Sequence, residues 1–140
     1  MLQIDVSLQR LGFRLEARFD APTPGVIALF GRSGCGKSTL VNLVAGLIGN
    51  GAGRIELDGE CWLDSARGIR VAAERRRIGY VFQEARLFPH YSVRGNLLYG
   101  APRAPRAGLF DDVVSLLGLA ALLQRRPTTL SGGERQRVAL

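Results

Sequence analysis

Between the apolar run Val26–Phe30 and a helix-like stretch beginning at Ser38 stands Gly31-Arg32-Ser33-Gly34-Cys35-Gly36-Lys37-Ser38. The pattern GxxxxGK[ST], entered from a strand and leading into a helix, leaves few folds open. Its glycines let the backbone wrap tightly, so that successive N–H groups turn inward and form an anion nest. A helix starting near Lys37 adds the positive end of its dipole. Such a loop suits a chain of phosphates, with Lys37 reaching the β- and γ-phosphates and the Ser38 hydroxyl available to Mg²⁺. Thr39 follows directly and joins the candidate set. Lys37 is also the only lysine among nineteen basic residues, the rest being arginine. A compact ammonium, where the chain otherwise uses planar guanidinium groups, speaks for a specific task. A glycine-rich turn without a ligand leaves that lysine unexplained.

The 140 residues are 46% hydrophobic and 22% charged, which suits an ordinary globular chain. The longest apolar runs, such as Val26–Phe30 and Leu119–Leu123, fall far short of the about 20 residues of a membrane span. No charged-then-apolar leader opens the sequence, so a soluble, cytosolic chain is expected. The net charge is +7, but apart from Arg75-Arg76-Arg77 the arginines are scattered and not interleaved with stacking aromatics. They read as a general preference for arginine, and no nucleic acid partner is expected. Cys35 and Cys61 stand apart, with no CxxC and a single histidine, so neither a zinc site nor a disulfide framework is expected.

Along the chain, Leu2 to Leu8 and Phe13 to Phe19 alternate apolar and polar residues, predicting two half-buried strands. Val26–Phe30 and Ile78–Phe82 are continuous apolar runs, predicting strands of a parallel sheet covered on both faces. Ser38–Ile48 predicts a helix closed by glycines at 49, 51 and 53. Arg54–Leu57, Asp58-Gly59 and Glu60–Asp64 predict a hairpin. Ser92 caps a short helix through Tyr99, and Ala101–Ala107, with two prolines, reads as a linker. Leu109, Phe110, Val113, Val114, Leu116 and Leu117 recur at helical spacing up to Gly118. A last helix starts at Gly132, capped by Ser131, and is still running at Leu140, as in a chain that has been cut.

A second motif narrows the choice. Leu130-Ser131-Gly132-Gly133-Glu134-Arg135-Gln136-Arg137 again exposes helix N-terminal donors to an anion. Together with Gly31–Ser38, and with Tyr80-Val81-Phe82-Gln83-Glu84 ending a strand on a glutamine, it resembles the ATP-binding cassette (ABC) family. The resemblance covers the whole chain and implies an α/β fold: a P-loop NTPase core with an N-terminal antiparallel β subdomain and a helical subdomain carrying the signature motif, together a truncated ABC ATPase domain. It places the β subdomain and P-loop core at 1–82, the Q-loop and docking segment at 83–100, and the helical subdomain at 101–140. The family's Walker B strand, D-loop and switch histidine follow the signature and would lie beyond Leu140, so the 140 residues alone are expected to be inactive.

The resemblance also implies roles. Gly31 to Thr39 would hold ATP, Ser38 and Gln83 would ligate Mg²⁺, and Lys37 and Gln83 would serve hydrolysis. Ser131, Gly132, Gly133, Glu134 and Gln136 would contact a nucleotide held by the other subunit of a homodimer. Phe13 either stacks on adenine or belongs to the core; its alternating strand allows both. Integral membrane permease subunits would dock near Gln83–Val93, and a substrate-binding protein outside the membrane would act indirectly. His90 fits the docking segment better than catalysis. The stretches Arg75–Gln83, Ala85–Tyr91 and Val93–Leu97 look most like the ATP-binding subunit of a molybdate importer, peripheral on the cytoplasmic face of the membrane. Sulfate, polyamine, iron or sugar importers use the same machinery, and a truncated nucleotide-binding module is a further alternative. DNA-repair members insert a long coiled coil for which the interval between Lys37 and Ser131 has no room.

Overall fold

The computed structural model describes residues 1–10, 12–101 and 108–140. From Pro102 onward, the expected linker therefore lies outside the described residues. The chain divides into two compact units, Met1–Gly79 and Tyr80–Leu140.

The first unit is built on an antiparallel sheet in the order β2-β1-β3-β4-β5. Its strands are β1 (Leu2–Arg10), β2 (Phe13–Ala21), β3 (Ala52–Leu57), β4 (Glu60–Asp64) and β5 (Ile69–Arg70). The period-2 pattern sends Ile4, Val6 and Leu8 of β1 to one face, where Ile4 pairs with Ile55 and Leu8 with Leu15 across the ladder. Asp58 and Gly59 both take positive φ, 50° and 87°, as the mirror-image turn of a tight hairpin requires. A register shift between Ile55 and Glu56 lets the neighbouring residues Trp62 and Leu63 both reach the core.

Helix α1 (Lys37–Val44) lays Leu40 and Leu43 on this apolar face. It is shorter than the expected Ser38–Ile48 and ends at Gly46, not at Gly49. Gly46 takes φ 77°, its N–H donates to the Leu43 carbonyl at 3.1 Å, and the Leu47 N–H donates to Asn42 at 2.9 Å. That is a Schellman closure, which only a residue comfortable in the left-handed region completes cheaply. Arg76 finishes the end. It is buried, at 4% exposure, and its guanidinium donates to the carbonyls of Leu43 (3.0 Å), Val44 (2.6 Å) and Val71 (2.9 Å). A Cβ on residue 46 would come within 2.8 Å of the Arg76 Nε, so the glycine also makes room for this cap. Burial lowers the Arg76 pKa, but from so high a value that the group stays a cation.

Two expected strands are not formed. Neither 26–30 nor 78–82 joins a hydrogen-bonded ladder. A strand needs a neighbour to take its N–H and C=O groups, and an apolar run cannot supply one itself. The first run keeps the alternation of an extended segment. Ile27 and Leu29 turn toward a hollow of about 170 Å³ beside Leu40, Val41 and Val44, whereas Val26 is fully exposed.

The second unit is helical. Helices α2 (Val93–Tyr99), α3 (Leu109–Leu116) and α4 (Gly132–Ala139) contribute Val93, Val114 and Val138 to a core with Leu119, Leu122 and Leu130. Ser92 caps α2 as expected, its Oγ accepting from the Gly95 N–H at 3.2 Å. α3 ends before Gly118, whose φ of 62° suits a helix stop. Among the described residues no helix is long and apolar enough to cross a membrane.

Arg76→Met keeps the length of the side chain but takes the donor away from the carbonyls of Leu43, Val44, Val71 and, at 3.5 Å, Trp62, so we expect a loss of about 3 kcal/mol in urea unfolding. Arg75→Met, at an exposed position of the same triplet, should stay within about 0.5 kcal/mol of the wild type.

Candidate functional site

The glycine-rich segment leads straight into α1, and its geometry follows from three local facts. Gly34 (φ 80°) and Gly36 (φ 99°) sit in the left-handed region, turning the loop back on itself. The Cys35 N–H closes the turn on the Arg32 carbonyl at 3.3 Å, and the Leu40 N–H starts the helix on Gly36 at 2.9 Å. No acidic residue occupies the first turn of α1, so nothing in that turn offsets the positive end of the helix.

Lys37 spans the loop. Its ammonium donates to the carbonyls of Gly31 at 2.8 Å and Arg32 at 2.9 Å, with the Cys35 sulfur 3.7 Å away. The single lysine is thus held across the loop by neutral acceptors, which a phosphate oxygen would replace with stronger, charge-assisted bonds. Ser33, Ser38 and Cys35 are exposed, and Thr39 is half-buried. Phe13 lies where β2 begins, and a Cβ on Gly36 would come within 2.8 Å of its ring. The ring is half-buried and packs on the core, the second of the two roles open to Phe13.

The second unit holds the other candidates. Ser131 and Glu134 form a reciprocal cap: the Ser131 Oγ accepts from the Glu134 N–H at 3.3 Å, and the Glu134 carboxylate accepts from the Ser131 N–H at 2.6 Å. Glu134 is therefore engaged in its own helix end, and these bonds hold its pKa below the ordinary glutamate range. Gly132 and Gly133 are exposed, neither takes a positive φ, and a Cβ on either would meet nothing within 4 Å. Glycine in a helix costs about 1 kcal/mol relative to alanine. Among the described residues no contact requires glycine at these positions.

Gln83 is exposed, and its side chain has no hydrogen-bond partner among the described residues. The Gln136 amide donates to the Phe82 carbonyl at 3.3 Å. Sequence reasoning missed Asn96, which braces the 88–92 segment: its Oδ1 accepts from the Phe88 N–H at 2.7 Å, and its Nδ2 donates to the carbonyls of Phe88 and Ser92. Phe88, His90, Tyr91 and Tyr99 cluster there, with Phe88 and Tyr99 rings 4.3 Å apart, and Phe88, Tyr91 and Tyr99 remain exposed. The only advance signal was the spacing of Asn96 one helical turn after the cap Ser92. Among the described residues no group of His, Cys, Asp and Glu could hold a metal ion.

Because the folded-state pKa of Glu134 is lowered, its contribution to the α4 cap is complete above the ordinary glutamate pKa. It is lost as pH falls through the lowered value. A carboxyl-carbon NMR titration should show Glu134 titrating below the ordinary glutamate value, and Ser131→Ala should move it part of the way back up.

A profile of the ABC transporter family matches residues 16–140. The molybdenum import ATP-binding protein ModC of Rhodospirillum rubrum is 54% identical over all of this chain and 38% of its own length. The protein of the same name from Pasteurella multocida is 52% identical over all of this chain and 40% of its own length. That from Rhizobium etli is 55% identical over 94% of this chain and 38% of its own length. The chain thus spans about two fifths of the length of these relatives. Among solved structures, a dimeric ATP-binding cassette in a post-hydrolysis state with ADP and Pi superposes with a TM-score of 0.72, at 22% identity, over 99% of this chain and 67% of that one. Fold, glycine loop and family match coincide, and the chain belongs to the ABC transporter family.

Proposed function

We propose that the chain is the nucleotide-binding part of an ATP-binding subunit that drives import of molybdate. The observation that carries the reading is Lys37, the single lysine, held across a glycine loop at the start of α1. The molybdate assignment rests on the names of the relatives, which are about half identical over nearly the whole chain.

The residues divide the work as follows. The Gly31–Ser38 backbone and the α1 N-terminus bind the β- and γ-phosphates, and Lys37 exchanges its two carbonyl acceptors for phosphate oxygens. Phe13, against Gly36, flanks the base. Ser38 and Gln83 would hold Mg²⁺, which would supply positive charge to offset that of the phosphates. The α4 N-terminus, left open by Gly132 and Gly133, faces a nucleotide on the second subunit of a homodimer. Two such composite sites close and open together, and the permease follows through the aromatic segment braced by Asn96. A subunit working this way sits on the cytoplasmic face of the membrane, and an external substrate-binding protein delivers the cargo.

Lys37→Ala should weaken MgATP binding at least about tenfold by titration calorimetry, through loss of charge-assisted bonds to phosphate. Lys37→Arg should also weaken it, because a planar fork does not fit where an ammonium sits. Wild-type affinity in Lys37→Ala would remove the phosphate-loop assignment. MgATP should also slow alkylation of Cys35 more than that of Cys61, as mass spectrometry of the labelled chain can show.

Ser131→Arg and Gly133→Ala should leave ATP binding by the isolated chain unchanged. In the full-length protein both should reduce ATP-dependent dimer formation in sedimentation. Gly133→Ala is the sharper of the two, since helix propensity predicts no loss of stability from it. Weaker ATP binding by the isolated chain, with the fold intact, would contradict a role on the partner's nucleotide.

A further inference from the structure

Family resemblance casts Gln136 as a contact to the partner's nucleotide, yet its amide is engaged within its own unit. Nε2 donates to the carbonyl of Phe82, the residue before Gln83, at 3.3 Å. A carbonyl only accepts, so the contact fixes which end of the amide points there. The Phe82 side chain is held as well: the Tyr80 ring lies 4.6 Å from its ring, and the Arg86 guanidinium lies 4.0 Å over it. The peptide plane that joins Phe82 to Gln83 is rigid, so tethering its oxygen sets the direction in which residue 83 leaves it. Gln83 itself is exposed. At the other end of the contact, α4 is capped at Ser131 and pinned by buried Val138, so Gln136 and the open Gly132-Gly133 end belong to one short rod.

We propose that Gln136 is a positioning residue that ties the Phe82–Gln83 peptide to the signature helix. A nucleotide that meets the α4 N-terminus then also sets where Gln83 lies. The inference rests on the reading above, in which Gln83 serves the bound nucleotide; it moves Gln136 from a contact on the partner's nucleotide to a link within its own subunit. Occupancy at the α4 end of a subunit is thereby reported to that subunit's own Gln83.

The test is a double-mutant cycle on ATP hydrolysis by the full-length protein. Gln136→Met keeps the length and removes the donor. It should lower kcat about tenfold, as loss of an orienting partner typically does, with KM for ATP unchanged. Gln136→Lys restores an N–H donor and should recover most of kcat, which a purely packing role would not allow. Gln83→Ala combined with Gln136→Met should be no worse than the more damaging single change, because both act at one point. Hydrogen exchange across residues 83–86 should quicken in Gln136→Met. Losses that multiply, or unchanged exchange, overturn the link while leaving Gln83's own role standing. If Gln83→Ala alone leaves kcat intact, the reading of Gln83 fails and the link falls with it. If Gln136→Met does not fold, Gln136→Glu takes its place in every arm, since its carboxylate cannot donate to a carbonyl at neutral pH.

Discussion

Arg76 holds the C-terminal carbonyls of α1 and, through Val71, the strand-end segment beside them. The N-terminal end of the same helix carries the glycine loop that Lys37 spans. A helix of this length is stiff, so an anchor at one end sets the aim of the other. A buried arginine of this kind is expensive to desolvate, and its cost is offset only while each N–H finds a carbonyl. Gly46 makes that satisfaction possible twice, by turning the helix end into the left-handed region and by leaving space for the guanidinium. The loop at Lys37 therefore depends on a residue 39 positions later in sequence that never touches it.

The two candidate binding elements use one principle in different ways. Both are helix N-termini with glycines beside them, and both leave backbone N–H groups for an anion. At α1 the glycines are demanded by conformation: Gly34 and Gly36 take φ values that L-residues avoid, and Gly36 has no room for a side chain beside Phe13. At α4 no contact among the described residues demands the glycines, and the helix is secured instead by the Ser131–Glu134 cap. The same residue type thus answers a backbone conformation at one helix start and leaves the other bare of side chains.

What lay open in the sequence was local. The Asp58-Gly59 turn, the Ser92 and Ser131 caps and the alternation of β1 and β2 all appear where the residues predict them, because each is settled by bonds within a few positions or by a strict period. The end of α1 was misplaced by the same kind of reasoning. Three glycines at 49, 51 and 53 looked like the stop, whereas Gly46 had already closed the helix.

The chain by itself determined the glycine loop before α1, the Ser131 cap of α4 and the family they indicate, since those depend on residue identity at fixed spacing. Tertiary structure alone decided the fate of the apolar runs and of the arginines. Val26–Phe30 and Ile78–Phe82 carry strand composition, but a strand exists only when a neighbour takes its hydrogen bonds. Arg75, Arg76 and Arg77 read alike in sequence, and only the arrival of three carbonyls from α1 and Val71 makes the middle one a buried anchor. Period and spacing report what a segment could form; the partner that satisfies its polar groups comes from elsewhere in the chain, and no local pattern names it.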